Sequence, residues 1–201
     1  LFRSINIDPA RLQQIAEMSL RGAWNTQQIT TAVTSEANYT PGQPATGDLG
    51  ALVTQVKKSA KDFFVPISDD TAFGYAKNIA AGQLTTDGID QMFRTQAKGR
   101  FPTIAEQIDA GISPAQFFEP YRQQIANELE ISPETINLVS DPKWNAVLDY
   151  ADQGSDKRRV MTLSETQRYV RSMPAWDKTN NARQSAANLS EYIGQTFGAV
   201  K

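Results

Sequence analysis

Apolar residues recur along this chain at intervals of three and four positions, and prolines, glycines and polar caps separate the runs. In the clearest run, Leu49, Leu52, Val56 and Ala60 place their side chains on one face of a helix. Alternation with a period of two is almost absent. The pattern predicts an all-α fold, an irregular multi-helix bundle of about ten short-to-medium helices, with at most one short hairpin near 152–161.

Local chemistry predicts where several helices begin and end. Asp8 followed by Pro9 opens the first helix, and we expect Leu20 on its inward face. Thr162 or Ser164 can cap a later helix. Pro120 interrupts an otherwise helical pattern, so we expect it to kink that helix or divide it in two.

Breaks in the pattern suggest a division of the chain into five parts. The stretch YTPGQPATG carries two prolines and two glycines, as a linker does, and the stretch DQGSDKRRV is polar and charged. The predicted parts are an N-terminal helical hairpin (1–38), a linker (39–47), a central helical domain (48–151), a loop (152–161) and a C-terminal helical pair (162–201).

Composition excludes several classes of chemistry. The 201 residues are 40% hydrophobic and 21% charged, as in a globular protein, and they include no histidine and no cysteine. Serine–histidine catalysis, thiolate chemistry, disulfides and the usual zinc sites are therefore excluded. We expect no catalytic residue, no cofactor and no small-molecule substrate.

Carboxylates are the remaining candidates for a site. Asp149, Asp152 and Asp156 surround a glycine, but their spacing is wrong for a calcium loop and basic residues follow, so we interpret them as a solvated turn. Glu128 and Glu130 are two positions apart, do not share a helix face, and are not expected to form an acid–base pair.

Glu36 is the one carboxylate with an alternative reading. The segments Ser35–Tyr39 and Asn78–Gly82 resemble two motifs of lysozyme-like lytic transglycosylases, which implies Glu36 as a catalytic acid in a muralytic domain. In that family the serine follows the glutamate, whereas here it precedes it. The family's Gly-Leu-Met-Gln segment is also missing.

Membranes and nucleic acids are not expected partners. The chain has no run of 18 apolar residues and no pattern of a secretion leader. Net charge is −2, and the basic face of Lys57, Lys58 and Lys61 is not interleaved with aromatic residues. Because the chain begins at Leu1, we expect it to be part of a longer or processed polypeptide.

The last helix carries the main candidate surface. We expect Pro174 to open it, a ring at its first turn to anchor it, and small residues in its middle to admit a neighbouring helix. Pro142-Lys143-Trp144 repeats the proline–tryptophan spacing. The predicted packing or interaction seam comprises Trp144, Trp176, Thr179, Ala182, Ala186, Leu189, Ile193 and Phe197.

A family resemblance rests on these residues and on others upstream, and covers roughly residues 70–200. The C-terminal part of the pattern is Met161-Thr162-Leu163-Ser164, Arg171, Pro174-x-Trp176, Thr179, Ala182 and Phe197-Gly198. The upstream part is Ala97-Lys98, Pro102, Ile108, Gly111, Tyr121, Leu129-Glu130-Ile131 and Ser140-Asp141-Pro142-Lys143-Trp144. Together they resemble the C-terminal region of long, tape-measure-like tail proteins from phages of actinobacteria.

The resemblance implies a structural role. It suggests a non-enzymatic virion component, made in the host cytoplasm and built into the phage tail, that binds other tail or head–tail proteins. We expect a homo-oligomer in the virion and, by analogy, a part in genome ejection. The muralytic domain with Glu36 stays open as the alternative, and a DNA-contacting adaptor is disfavoured by the net charge.

Overall fold

The structure, a computed structural model, describes residues 7–37, 45, 47–152 and 157–197. These residues form ten α-helices, four short 3₁₀ helices and one two-stranded hairpin, which confirms the all-α multi-helix fold. The α-helices are α1 (Pro9–Arg21), α2 (Thr26–Ser35), α3 (Gly47–Asp62), α4 (Asp69–Ala80), α5 (Thr86–Arg100), α6 (Ala105–Asp109), α7 (Pro114–Leu129), α8 (Asn145–Leu148), α9 (Leu163–Arg171) and α10 (Asn180–Thr196). The 3₁₀ helices are Pro102–Ile104, Pro133–Thr135, Pro142–Trp144 and Trp176–Lys178, and the antiparallel hairpin pairs β1 (Tyr150–Ala151) with β2 (Arg158–Arg159).

The chain packs as two compact units. The first comprises Leu1–Arg100 together with Ser113–Ala115, and the second comprises Phe101–Ile112 together with Gln116–Lys201. The five-part division proposed from the sequence stays a prediction, and its linker 39–47 lies mostly outside the described residues.

In the first unit, α3 packs against α4 and α5, and α2 packs against α1 and α4. The predicted stripe of α3 is correct, since Leu49, Val56 and Ala60 are buried. The inward position predicted for Leu20 is wrong, because this side chain is 84% exposed. The apolar contacts of α1 cluster around Ile15, and Leu20 in the last turn has no place in that cluster.

The core of the second unit is formed by residues far apart in sequence. Its fully buried side chains are Trp144, Ile104, Ile108, Ile125, Val147, Val170 and Thr166. Helix α7 continues through Pro120 and is not divided by it. A proline removes one hydrogen bond of the helical ladder, and packing of the flanking turns can offset that loss.

The hairpin of the second unit is tied to the start of α9 through Arg159. Its guanidinium binds both carboxylate oxygens of Glu165, at 2.7 and 2.9 Å, and also binds Asp152. The hydrogen bonds from Arg159 and then those from Thr162 lower the pKa of Glu165 well below its usual range. Thr162 is the N-cap of α9 and forms a capping box with Glu165, which confirms one of the two caps predicted.

Candidate interaction surface

A buried carboxylate at the end of α7 joins three segments of the second unit. Glu128 is only 8% exposed, and it accepts hydrogen bonds from Gln167 Nε2 at 2.5 Å and from Arg171 Nε at 2.9 Å. Trp176 Nε1 donates to Glu128 Oε2 at 3.2 Å, and the Arg171 guanidinium lies 5.6 Å from the centre of the Trp176 ring. Glu128 therefore holds α9 and the 3₁₀ helix Trp176–Lys178 against α7.

The environment of Glu128 keeps the carboxylate ionised. Burial raises its pKa, but the hydrogen bonds from Arg171 and Gln167, the positive charge of Arg171 and the hydrogen bond from Trp176 outweigh burial, so the net pKa is lowered. A carboxylate with four donor contacts has a structural role, because its oxygens are occupied by the protein itself.

Glu130, two residues further along, fixes the start of α10. Its carboxylate accepts the backbone N–H groups of Asn180 at 3.0 Å and of Asn181 at 2.7 Å. These backbone bonds, led by that of Asn180, lower the pKa of Glu130. A negative charge at the first turn also interacts favourably with the helix dipole. Glu130, which lies outside α10, therefore stabilises and orients the start of that helix.

The last helix begins later than the sequence suggested. Thr179 is the N-cap of α10 and its hydroxyl accepts the Ala182 N–H at 3.0 Å, whereas Pro174 lies in a turn before the separate 3₁₀ helix Trp176–Lys178. The expectation that Pro174 opens this helix is wrong. Thr179 and Glu130 accept hydrogen bonds from the backbone N–H groups of the first turn of α10. A proline side chain has no acceptor and could not do so.

The predicted seam divides into a buried part and an exposed part. Thr179 and Ala182 are 6% and 8% exposed, so the start of α10 is packed. Beyond them Ala186 is exposed, and the large apolar side chains of α10 face solvent. Their exposed fractions are 59% for Leu189, 66% for Tyr192, 46% for Ile193 and 80% for Phe197. This half of the seam is exposed, and its binding to a partner stays a prediction.

The two tryptophans assigned to the seam lie in different surroundings. Trp144 is completely buried, and it ends the 3₁₀ helix Pro142–Trp144, which Asp141 caps. Trp176 is half-buried, and it anchors the segment before α10 and not the first turn of α10 itself. The shared spacing therefore produces a 3₁₀ start at Pro142 but not at Pro174.

Glu128 and Glu130 are the residues that sequence reasoning missed. Their spacing excludes an acid–base pair, and nothing in it indicates that they hold the segment leading into α10 and its first turn. One signal was present, since Glu128 is three residues after the buried Ile125 and so lies on the apolar face of α7. A carboxylate on an apolar face requires donors, and its donors come from residues 39 to 48 positions away.

Glu36 of the muralytic alternative follows the last residue of α2. Arg11 Nη2 binds Glu36 Oε1 at 2.8 Å, which joins α1 to the end of α2. The second motif of that alternative lies nearby, because Lys77 Nζ, adjacent to Asn78, donates to the carbonyl oxygens of Ser35 and Ala37. Residues 35–37, the described part of the first segment, therefore lie beside the residue that precedes the second segment, with the Arg11 guanidinium on the candidate acid. Asn38 and Tyr39 lie outside the described residues.

The aspartates of the second loop have basic partners. Asp149 pairs with Arg158 and Asp152 pairs with Arg159, while Asp156 lies outside the described residues. Across the part of the chain that the structure describes, no group of three or more carboxylates is placed to hold a metal ion. In that same part, no helix combines the length and apolar character needed to cross a bilayer.

Comparison with known proteins identifies no relative of this chain. The chain matches no protein-family model, no curated protein and no solved structure.

Proposed function

We propose that this chain is a non-enzymatic structural domain of a bacteriophage virion, the folded end of a tape-measure-like tail protein, and that it binds other virion proteins through α10. The observation that carries the proposal is the exposed apolar face of Leu189, Ile193 and Phe197 on a helix whose start is firmly held. A contiguous apolar surface of this kind is typical of a protein–protein contact.

The mode of anchoring supports the proposal. Glu128 and Glu130 hold the segment that leads into α10 and its first turn, whereas the residues from Ala186 to Phe197 are exposed apart from the buried Gly194. Exposed helical turns gain little from tertiary packing, so a bound partner would stabilise this half of α10. The phage assignment itself rests on the resemblance, which covers roughly residues 70–200.

The experiment is made on particles of the phage that encodes the chain. Mass spectrometry of purified virions should detect its peptides, and a Leu189→Glu/Phe197→Glu phage should assemble defective or tailless particles. A Gln184→Glu phage is the control, since Gln184 is also exposed but lies on the opposite side of α10. Absence of the chain from purified particles, or normal tails in the double variant, would overturn the proposal.

A muralytic domain using Glu36 is the second candidate function. It is supported by the contact of Lys77, which directly precedes the second motif segment, with the carbonyl groups of Ser35 and Ala37 in the first. It is opposed by Arg11, which occupies Glu36 Oε1, and by the departures from the family's motif. We rank it below the structural role.

A further inference from the structure

The exposed face of α10 has an ordered sequence of side-chain sizes. Ala186, Leu189, Ile193 and Phe197 follow one another at steps of three, four and four residues, so they form one stripe along the helix. All four are exposed, with Phe197 at 80%. The stripe thus begins with its smallest side chain and ends with its largest.

We propose that α10 pairs with α10 of a second copy of this chain, in antiparallel orientation. With the two-fold axis near residues 191 and 192, Ala186 faces the partner's Phe197 and Leu189 faces the partner's Ile193. Each layer then combines a small side chain with a large one, or two of similar size, as close packing requires. This inference rests on the interaction surface of the proposed function and names its occupant.

Charge is compatible with this self-pairing. Arg183 and Glu191 are the only charged residues of α10. Arg183 lies before the stripe, and Glu191 lies roughly 160° around the helix from Ile193 at about 100° per residue, on the opposite side. Within α10, two copies therefore bring no like charges together, and the contact between the two stripes should depend little on salt.

The available area suits a modest dimer. Leu189, Ile193 and Phe197 of the stripe, with Tyr192 on its flank, together leave at most on the order of 500 Å² of side-chain surface open on each copy, given the usual areas of aromatic and aliphatic side chains. Pairing two copies would bury at most about 1,000 Å² in total, at the lower limit for a specific interface. We therefore expect a reversible dimer with a micromolar dissociation constant, one that forms at raised local concentration.

Sedimentation equilibrium of the purified 201-residue chain from about 1 to about 200 µM tests the proposal. We expect a monomer–dimer equilibrium that Leu189→Glu and Ile193→Glu each weaken at least about tenfold, while Gln184→Glu leaves it unchanged. Far-UV circular dichroism checks that every variant is folded. A monomer throughout this range, or a dimer that survives both glutamate substitutions, would overturn the proposal.

Disulfide trapping tests the antiparallel register, because the chain contains no cysteine of its own. An equimolar mixture of Leu189→Cys and Ile193→Cys variants should oxidise mainly to the mixed disulfide, since these two positions face each other only in the antiparallel pair. A predominance of the two homodisulfides would refute that register. A monomeric chain that still enters virions would overturn the dimer alone and leave the proposed function standing.

Discussion

At the residue scale, two tryptophans that each lie two positions after a proline have different energetic roles. Trp144 is completely buried, whereas Trp176 is half-buried, with its indole N–H on Glu128 and its ring near the Arg171 guanidinium. Sequence spacing placed both in one seam. The two residues differ in burial and in their contacts. The free energy of unfolding lost on truncation depends on the surface that each ring removes from water and on the hydrogen bonds that are broken.

The first prediction compares these two tryptophans. We expect Trp144→Ala to lower the free energy of unfolding by about 3 to 5 kcal/mol, since it opens a cavity in the core. Trp176→Ala should cost about 1 to 2 kcal/mol, because part of the ring is already in water. Urea denaturation followed by circular dichroism measures both, and an equal loss in the two variants would contradict this account.

The second prediction concerns the pH dependence contributed by Glu128 and Glu130. Both folded-state pKa values lie below the ordinary value of 4.5, so the unfolded chain binds these protons at higher pH than the folded chain does. Their contribution to stability is therefore complete above about pH 4.5 and is lost as the pH falls through the lowered pKa values.

The measurement is the thermal midpoint of the parent and of Glu128→Gln/Glu130→Gln between neutral pH and about pH 3. The double variant should be less stable at neutral pH and should lose less stability on acidification. Glu134→Gln, an exposed carboxylate in the 3₁₀ helix Pro133–Thr135, is the control. Parallel pH curves for the parent and the double variant would rule out this linkage.

At the scale of the element, α10 is a helix whose beginning and end are in different environments. Its first turn is capped by Thr179 and by Glu130, and Ala182 is buried. Its second half consists of exposed side chains around the buried Gly194. Helix formation in that half depends on propagation from the capped start, because nucleating a helix is unfavourable.

The third prediction follows from the Thr179 cap. Its hydroxyl accepts the Ala182 N–H and donates to the carbonyl of Trp176 at 2.7 Å. We expect Thr179→Ala to destabilise α10 by about 1 to 2 kcal/mol and to increase amide hydrogen exchange between residues 182 and 197. Thr179→Ser keeps the hydroxyl and should behave like the parent. Unchanged amide hydrogen exchange in the alanine variant would contradict this prediction and show that Glu130 alone is enough to hold the start of α10.

At the scale of the whole molecule, the absence of histidine and cysteine from the sequence removes imidazole and thiolate chemistry, and Glu36 is the carboxylate candidate for a catalytic acid. Its contact with Arg11 gives it a structural function in joining α1 to α2. Substitutions can separate the two roles. Glu36→Gln removes both the ion pair and any catalytic acid, whereas Arg11→Gln removes only the ion pair.

The fourth prediction separates the two candidate functions. The purified chain should release no soluble fragments from actinobacterial peptidoglycan, and Glu36→Gln should leave that result unchanged while loosening the α1–α2 contact. Arg11→Gln removes the same ion pair without touching the carboxylate, and serves as the matched control. Wall cleavage by the parent chain that Glu36→Gln abolishes and Arg11→Gln retains would establish the muralytic alternative in place of the structural one.

Several residues that carry the resemblance to tape-measure-like tail proteins have structural roles in this chain. Arg171, Trp176 and Glu130 belong to the contacts that hold the start of α10, and Trp144 fills the core of the second unit. These residues of the pattern anchor and pack helices. The pattern therefore indicates no catalytic or ligand-binding residue.

Much of the fold could be predicted from the sequence because its determinants are local. The apolar stripe of α3, the Thr162 cap and the hairpin near 152–161 depend on residues within a few positions of one another. Helical periodicity, capping chemistry and the scarcity of period-two alternation therefore determined an all-α chain, and the missing histidine and cysteine determined which chemistries it lacks.

Only the tertiary structure decided where α10 begins and which of its faces stays open. Glu128 meets Arg171 across 43 positions, and Glu130 meets Asn180 across 50, so no local pattern could pair them. The stripe from Ala186 to Phe197 has the same periodicity as a buried helix face, yet it is exposed. Periodicity shows that one face of a helix is apolar, whereas burial depends on what the rest of the chain places against it.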